Sequence, residues 1–208
     1  GIELGWLAPS ISTGSAVTGY VVYQDDGAGG AVDSVVSCGG GSALSTTCSV
    51  GGLLGGQEYV YAVSALSLAG EGDRSATLGV STSSAAASGL LSTVQTTRSI
   101  SLAWDALVAS GGSAVTGYTV YRTDGSGSSL HSIVAYDGAG STGTSAVVSG
   151  LEGGRTYSFV VSGLSAAGEG DVSAAFTQST AAGAPTGLSS MVQTTSSITL
   201  EWVAPVVL

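Results

Sequence analysis

The sequence predicts an all-β protein, a tandem array of seven-stranded β-sandwiches. Two observations carry that prediction: an internal repeat at fixed spacing, and short alternating strands set between glycine-rich turns. The repeat comes first because it sets the architecture. "GSAVTGYVVY" (14–23) returns as "GSAVTGYTVY" (112–121), and Trp6, Trp104 and Trp202 stand at a constant spacing of 98. "GLLGGQEY" (52–59) returns as "GLEGGRTY" (150–157), and "AGEGD" (69–73) returns at 167–171. "GLLSTVQTTRSISLAW" (89–104) returns as "GLSSMVQTTSSITLEW" (187–202). The register never slips. A period of 98 is too long for a solenoid unit and fits a small autonomous domain. The expected division is 1–84, a repeat lacking its first strand; 85–182, a complete repeat; and 183–208, the first two strands of a third. The array is expected to continue in both directions.

The second copy shows the strands. In "SISLAW" (99–104) apolar residues take every second position, the pattern of a strand with one buried face. "VTGYTVYR" (115–122) is rich in β-branched and aromatic residues, which suit a pleated surface. "LHSIVAY" (130–136), "TSAVVS" (144–149), "TYSFVVSG" (156–163) and "VSAAFTQS" (172–179) follow, and "LLSTVQ" (90–95) precedes. "DGSGSS", "DGAGSTG", "LEGGR" and "AAGEGD" read as the turns between them. Short strands at this spacing predict a sandwich.

These residues resemble the fibronectin type III family, as found in large extracellular and cell-surface proteins. Trp6, Trp104 and Trp202 match its core tryptophan, and Tyr20 and Tyr118 match the tyrosine of its third strand. Leu53 to Tyr59 and Leu151 to Tyr157 match its Leu-x-Pro-Gly-Thr-x-Tyr corner. The resemblance implies an immunoglobulin-like sandwich with all nine of these residues structural. It also implies that each corner tyrosine hydroxyl bonds to the nearby crossover backbone. Gly55 and Gly153 depart from the pattern, standing where the family usually has proline. Gly-Glu-Gly-Asp stands where some members carry Arg-Gly-Asp, so integrin binding is not supported.

Composition narrows the function classes. Charged residues make up 9% of the chain, and the net charge is −10. Arg74, Arg98, Arg122 and Arg155 are the four basic residues besides His131, and Lys and Asn are absent. Nucleic acid and anionic membrane surfaces, which need clustered cations, are not expected as partners. No apolar run reaches the ~18–20 residues of a membrane span. Without Asn there is no N-linked glycan acceptor, while the many Ser and Thr leave O-glycans open.

Candidate chemistry is sparse. Cys38 and Cys48 bracket one turn and are expected to form a disulfide, which implies an oxidising compartment. Asp25, Asp26 and Asp33 form one acidic group, and Glu71/Asp73 and Glu169/Asp171 form a repeated pair. Each is read as turn chemistry, with calcium as the weaker possibility and no other cofactor. His131 lies on an expected strand and cannot complete a Ser-His-Asp triad alone. No enzyme is expected. The reading is a non-catalytic extracellular structural array, such as a filament, hair or stalk, whose partners are neighbouring copies of the same repeat. The alternatives are an adhesin or receptor ectodomain, and spacer modules of a secreted enzyme.

Overall fold

The computed structural model describes residues 1–10, 14–38, 42–108, 112–124 and 133–205. Among them, regular structure is all β. The first repeat holds β1 (Ile2–Gly5), β2 (Val17–Gln24), β3 (Ser34–Val36), β4 (Thr47–Val50), β5 (Glu58–Ser67), β6 (Gly70–Arg74) and β7 (Leu78–Ser81). The second holds β8 (Leu91–Gln95), β9 (Ser99–Ala103), β10 (Val115–Arg122), β11 (Ile133–Asp137), β12 (Ser145–Ser149), β13 (Thr156–Ser165), β14 (Gly168–Val172) and β15 (Phe176–Ser179). A hairpin follows, β16 (Thr186–Gln193) and β17 (Ile198–Val203).

Each repeat builds two sheets. In the second, β12-β9-β8 form one, and β11-β10-β13-β14 with β15 also on β13 form the other. In the first, β3-β2-β5-β6 with β7 on β5 repeat the larger sheet, while β1 pairs with β4 alone. The alternation read from sequence decides which side chains go inside. Ile100 and Leu102 of β9 and Ala146 and Val148 of β12 are buried, with their in-between neighbours more exposed. Tyr118, Val120, Tyr157, Phe159 and Val161 of the larger sheet are buried too. In the first repeat Ile2, Leu4, Cys48 and Val50 share one core with Val22, Tyr59 and Tyr61 of the larger sheet. Edge-on ring pairs recur at the same place: Trp6 with Tyr20 and Trp104 with Tyr118, both with centroids 5.4 Å apart. Such pairs contribute about 0.5–1.5 kcal/mol beyond their burial.

Two expectations change. The stretch "AGEGD" is a strand, not a turn. The turn is only Leu68-Ala69 in one repeat and Ala166-Ala167 in the other, and Gly70 (φ 114°) and Gly168 (φ 106°) take the left-handed backbone that closes it. Second, "VSAAFTQS" is not one strand. At Ser173 the side-chain oxygen accepts the Val161 N–H (3.0 Å) and donates to the Ala174 carbonyl (2.9 Å). Ser75 does the same with Val63 (3.1 Å) and Ala76 (2.8 Å). A hydroxyl standing in for a ladder carbonyl interrupts the strand and lets it resume as β7 or β15. Trp202 is 56% exposed on β17, whose residues are exposed throughout. Among the described residues β17 pairs with β16. Of the expected strand 130–136, the described part begins at Ile133, and His131 lies outside the described residues.

Candidate functional site

The corner after β4 and β12 is the most closely repeated construction. The Leu54 N–H donates to the Tyr59 hydroxyl and the Glu152 N–H to the Tyr157 hydroxyl, each at 2.9 Å. A threonine closes the corner from the other side. Thr180 Oγ1 donates to the Glu152 carbonyl (2.6 Å) and accepts the Arg155 N–H (3.1 Å), and the Thr180 N–H returns to the Arg155 carbonyl (2.9 Å). Thr82 does this with Leu54 (2.7 Å) and Gln57 (3.0 and 2.8 Å). Sequence reasoning passed over Thr82 and Thr180. Their signal was present in the "ST" that begins both following linkers, 98 residues apart. The glycines that depart from the family pattern belong here as well. A Cβ on Gly55 would lie 2.9 Å from the Ala85 backbone nitrogen, and one on Gly153 would crowd the Ala181 carbonyl at 3.4 Å. At Gly55 the chain leaving the first repeat runs where a larger residue would stand.

The acidic residues hold backbone and side-chain donors. Asp25, 2% exposed, accepts the Gly27 N–H (3.2 Å) and the Val60 N–H (2.9 Å) through one oxygen. Thr123 Oγ1 accepts the Ser158 N–H at the same place in the second repeat (3.2 Å), so a hydroxyl serves as well as a carboxylate. Asp26 accepts the N–H groups of Ala28 (2.9 Å) and Gly30 (3.1 Å), which hold its carboxyl below the usual range. Glu71 accepts Ser64 Oγ (2.5 Å) and the Tyr23 hydroxyl (2.6 Å). These bonds, Ser64 first and Tyr23 next, with Arg74 nearby, lower its carboxyl. The Arg74 guanidinium lies 3.6 Å from the centre of the Tyr23 ring, a cation–π contact. Asp33, Asp73, Glu169 and Asp171 are exposed. Among the described residues no three acidic, His or Cys side chains are grouped to hold a metal ion. Asp25, Asp26 and Glu71 are thus engaged by donors of their own repeat.

Cys38 and Cys48 are joined, with Cα atoms 4.9 Å apart. They do not belong to one hairpin, as the sequence suggested. Cys38 follows β3 of the larger sheet and Cys48 lies in β4 of the smaller, so the bridge ties the two layers together.

The first repeat carries a concave feature. A cleft of about 210 Å³ opens between its sheets, walled by Leu4, Trp6, Val22, Tyr61, Ala76 and Leu78 among others. The Tyr61 hydroxyl is buried there without a partner among the described residues, and burial, then Tyr59 and Asp25, push it up to about 12.

Two sandwiches with the same order in the larger sheet, the same corner and the same strand break define a tandem immunoglobulin-like repeat protein. The model of the fibronectin type III domain matches residues 1–81 and 85–179. The chain belongs to the fibronectin type III family. Among solved structures it is similar to a two-domain fibronectin type III segment of chicken tenascin: 18% identity, TM-score 0.45, covering 86% of this chain and 91% of that one. The chicken CNTN1 FN1–FN3 domains match at 18% identity and TM-score 0.41, covering 78% of this chain and 56% of that one. A fibronectin type III domain of human KIAA0970 protein matches at 17% identity and TM-score 0.39, covering 46% and 72%. No curated protein matches the chain in sequence.

Proposed function

We propose that this chain is part of an extracellular structural array, whose repeats act by spacing and packing rather than by catalysis, with boundaries at 1–84, 85–182 and 183–208. The observation that supports this reading is what recurs at the 98-residue period. The tyrosine corner, the threonine closure and the serine strand break all recur, and all serve the backbone. What varies between repeats is side-chain chemistry: Asp25 against Thr123, Tyr61 against Phe159, Arg74 against Val172, and the cysteine pair against Tyr136 and Ala146. The disulfide fits an oxidising location. Neighbouring copies of the repeat are the natural partners, since a contact that repeats along an axis without closing builds a filament. Electron microscopy of the native material tests this. Ordered fibres with an axial repeat of about 30–40 Å per domain, or a multiple, are expected from the strand lengths. Isolated strings that never associate, whether bare or coated with O-glycans, would overturn it. A second reading, a recognition surface, is favoured by the Tyr23–Glu71–Arg74 cluster, whose arginine the second repeat lacks.

A further inference from the structure

We propose, resting on the array reading for the partner as another copy of this chain, that two copies meet face to face through the outer face of the second repeat's smaller sheet. In β9 and β12 the residues that alternate with the buried Ile100, Leu102, Ala146 and Val148 point away from the core. Strand register sets them in rows with β8. Ser101 stands between Val94 and Val147, and Ala103 stands between Leu91 and Ser145. Val147 is 63% exposed, Val94 55% and Leu91 47%. Apolar ridges thus flank a furrow of serine and alanine along β9. The three strands hold no charged residue.

The other copies of the sequence show that the fold does not require such a face. Where Ser101 pairs with Val147, the first repeat pairs Glu3 with Ser49, both exposed. Where Leu91 pairs with Ala103, the hairpin pairs Ser189 with Glu201. Each of the other copies therefore sets a carboxylate among these positions, and covering it with a partner would strip it of water. In a chain of net charge −10, copies repel one another, so the surface that joins them must be free of acid. The second repeat's face meets that condition, and its shape complements itself. Offset sideways by one strand, about 4.8 Å, two such faces related by a two-fold axis set the Val94 ridge of each over the β9 furrow of the other. Side chains interdigitate in the same way between the layers of a sandwich. Three strands of five residues give a flat footprint of about 250 Å², against about 800 Å² per partner in a stable complex, so a single contact is weak and reversible.

The test is NMR of the full chain at rising concentration. Backbone amides of residues 91–94, 99–103 and 145–149 should shift together and reversibly between about 0.05 and 2 mM, as a contact of this area implies. Two variants, Ser101→Glu and Val147→Ser, carry residues that the first repeat already has at the same places, so the fold accepts them. Each should leave the thermal midpoint within about 2 °C, as surface changes do. Each should weaken self-association about tenfold or more, the first by burying a carboxylate and the second by removing a ridge from both copies. A chain that stays monomeric to about 2 mM, shifts confined to other faces, or association indifferent to both variants would overturn the proposal. Electron microscopy of the native material distinguishes this failure from failure of the array reading. Ordered fibres with association indifferent to both variants would overturn the surface and leave the array standing. Isolated strings with association lost in both variants would overturn the array and leave the contact.

Discussion

The two repeats share a backbone and differ in how each keeps its two sheets together. The second has a three-stranded smaller sheet, with Ala87 buried beside it. The first has a two-stranded smaller sheet and a disulfide joining it to the larger one. Where the second repeat has Tyr136 and Ala146, the first has Cys38 and Cys48. The same fold thus carries a covalent tie between its sheets in one repeat and none at that place in the other. The terminal hairpin makes a third case, with the sequence of β8 and β9 and none of the burial.

The largest effect should separate equivalent tryptophans. Trp104→Ala leaves a cavity in a closed core and should cost the second repeat about 3–5 kcal/mol. Trp202→Ala, at a ring 56% exposed, should stay within about 0.5 kcal/mol. Denaturant unfolding of both variants checks this, and equal losses would break the comparison. Next comes the double change Cys38→Ser and Cys48→Ser. Opening a loop of sequence separation 10 should remove about 3 kcal/mol from the first repeat and nothing from the second. Hydrogen exchange resolved by repeat measures it.

Smaller and symmetric is the threonine closure. Thr82→Val and Thr180→Val each strand one N–H and one carbonyl at a corner. Each should cost its own repeat about 1–3 kcal/mol, with no effect on the other. A loss in only one repeat would show that the corners are not equivalent. The smallest effect concerns pH. The bonds from Ser64 and then Tyr23 hold the folded pKa of Glu71 below the ordinary glutamate value. Its stabilising contribution is fully present above that value and is lost as pH falls through the folded pKa. Glu71→Gln should flatten this part of the acid dependence of the first repeat, seen by following its unfolding midpoint between pH 6 and 3.

Much of this fold was legible because strand alternation and spacing are local. Ile100 and Leu102 point inward for the reason their sequence shows, a period of two. The repeat then confirmed each element by its copy. The serine break was hidden because Ser75 and Ser173 look like any strand serine until their hydroxyls meet a ladder N–H twelve residues away in sequence. The route of the disulfide was hidden for a similar reason: chain proximity of Cys38 and Cys48 suggested a hairpin, but their strands belong to different layers. The role of Asp25 became clear only beside Thr123, where another side chain does the same work.

The cross-layer disulfide also sets how the chain would respond to tension. When a repeat is pulled open from its ends, each freed residue adds about 3.6 Å to the extended length. The segment between Cys38 and Cys48, a separation of 10, stays shut while the bond is intact. Oxidised, the first repeat would therefore extend about 30 Å less than its backbone length allows, since the bridge itself still spans 4.9 Å between Cα atoms. A reductant would release that reserve, turning one repeat of the pair into a longer, redox-gated extension step while the second repeat's step keeps its length.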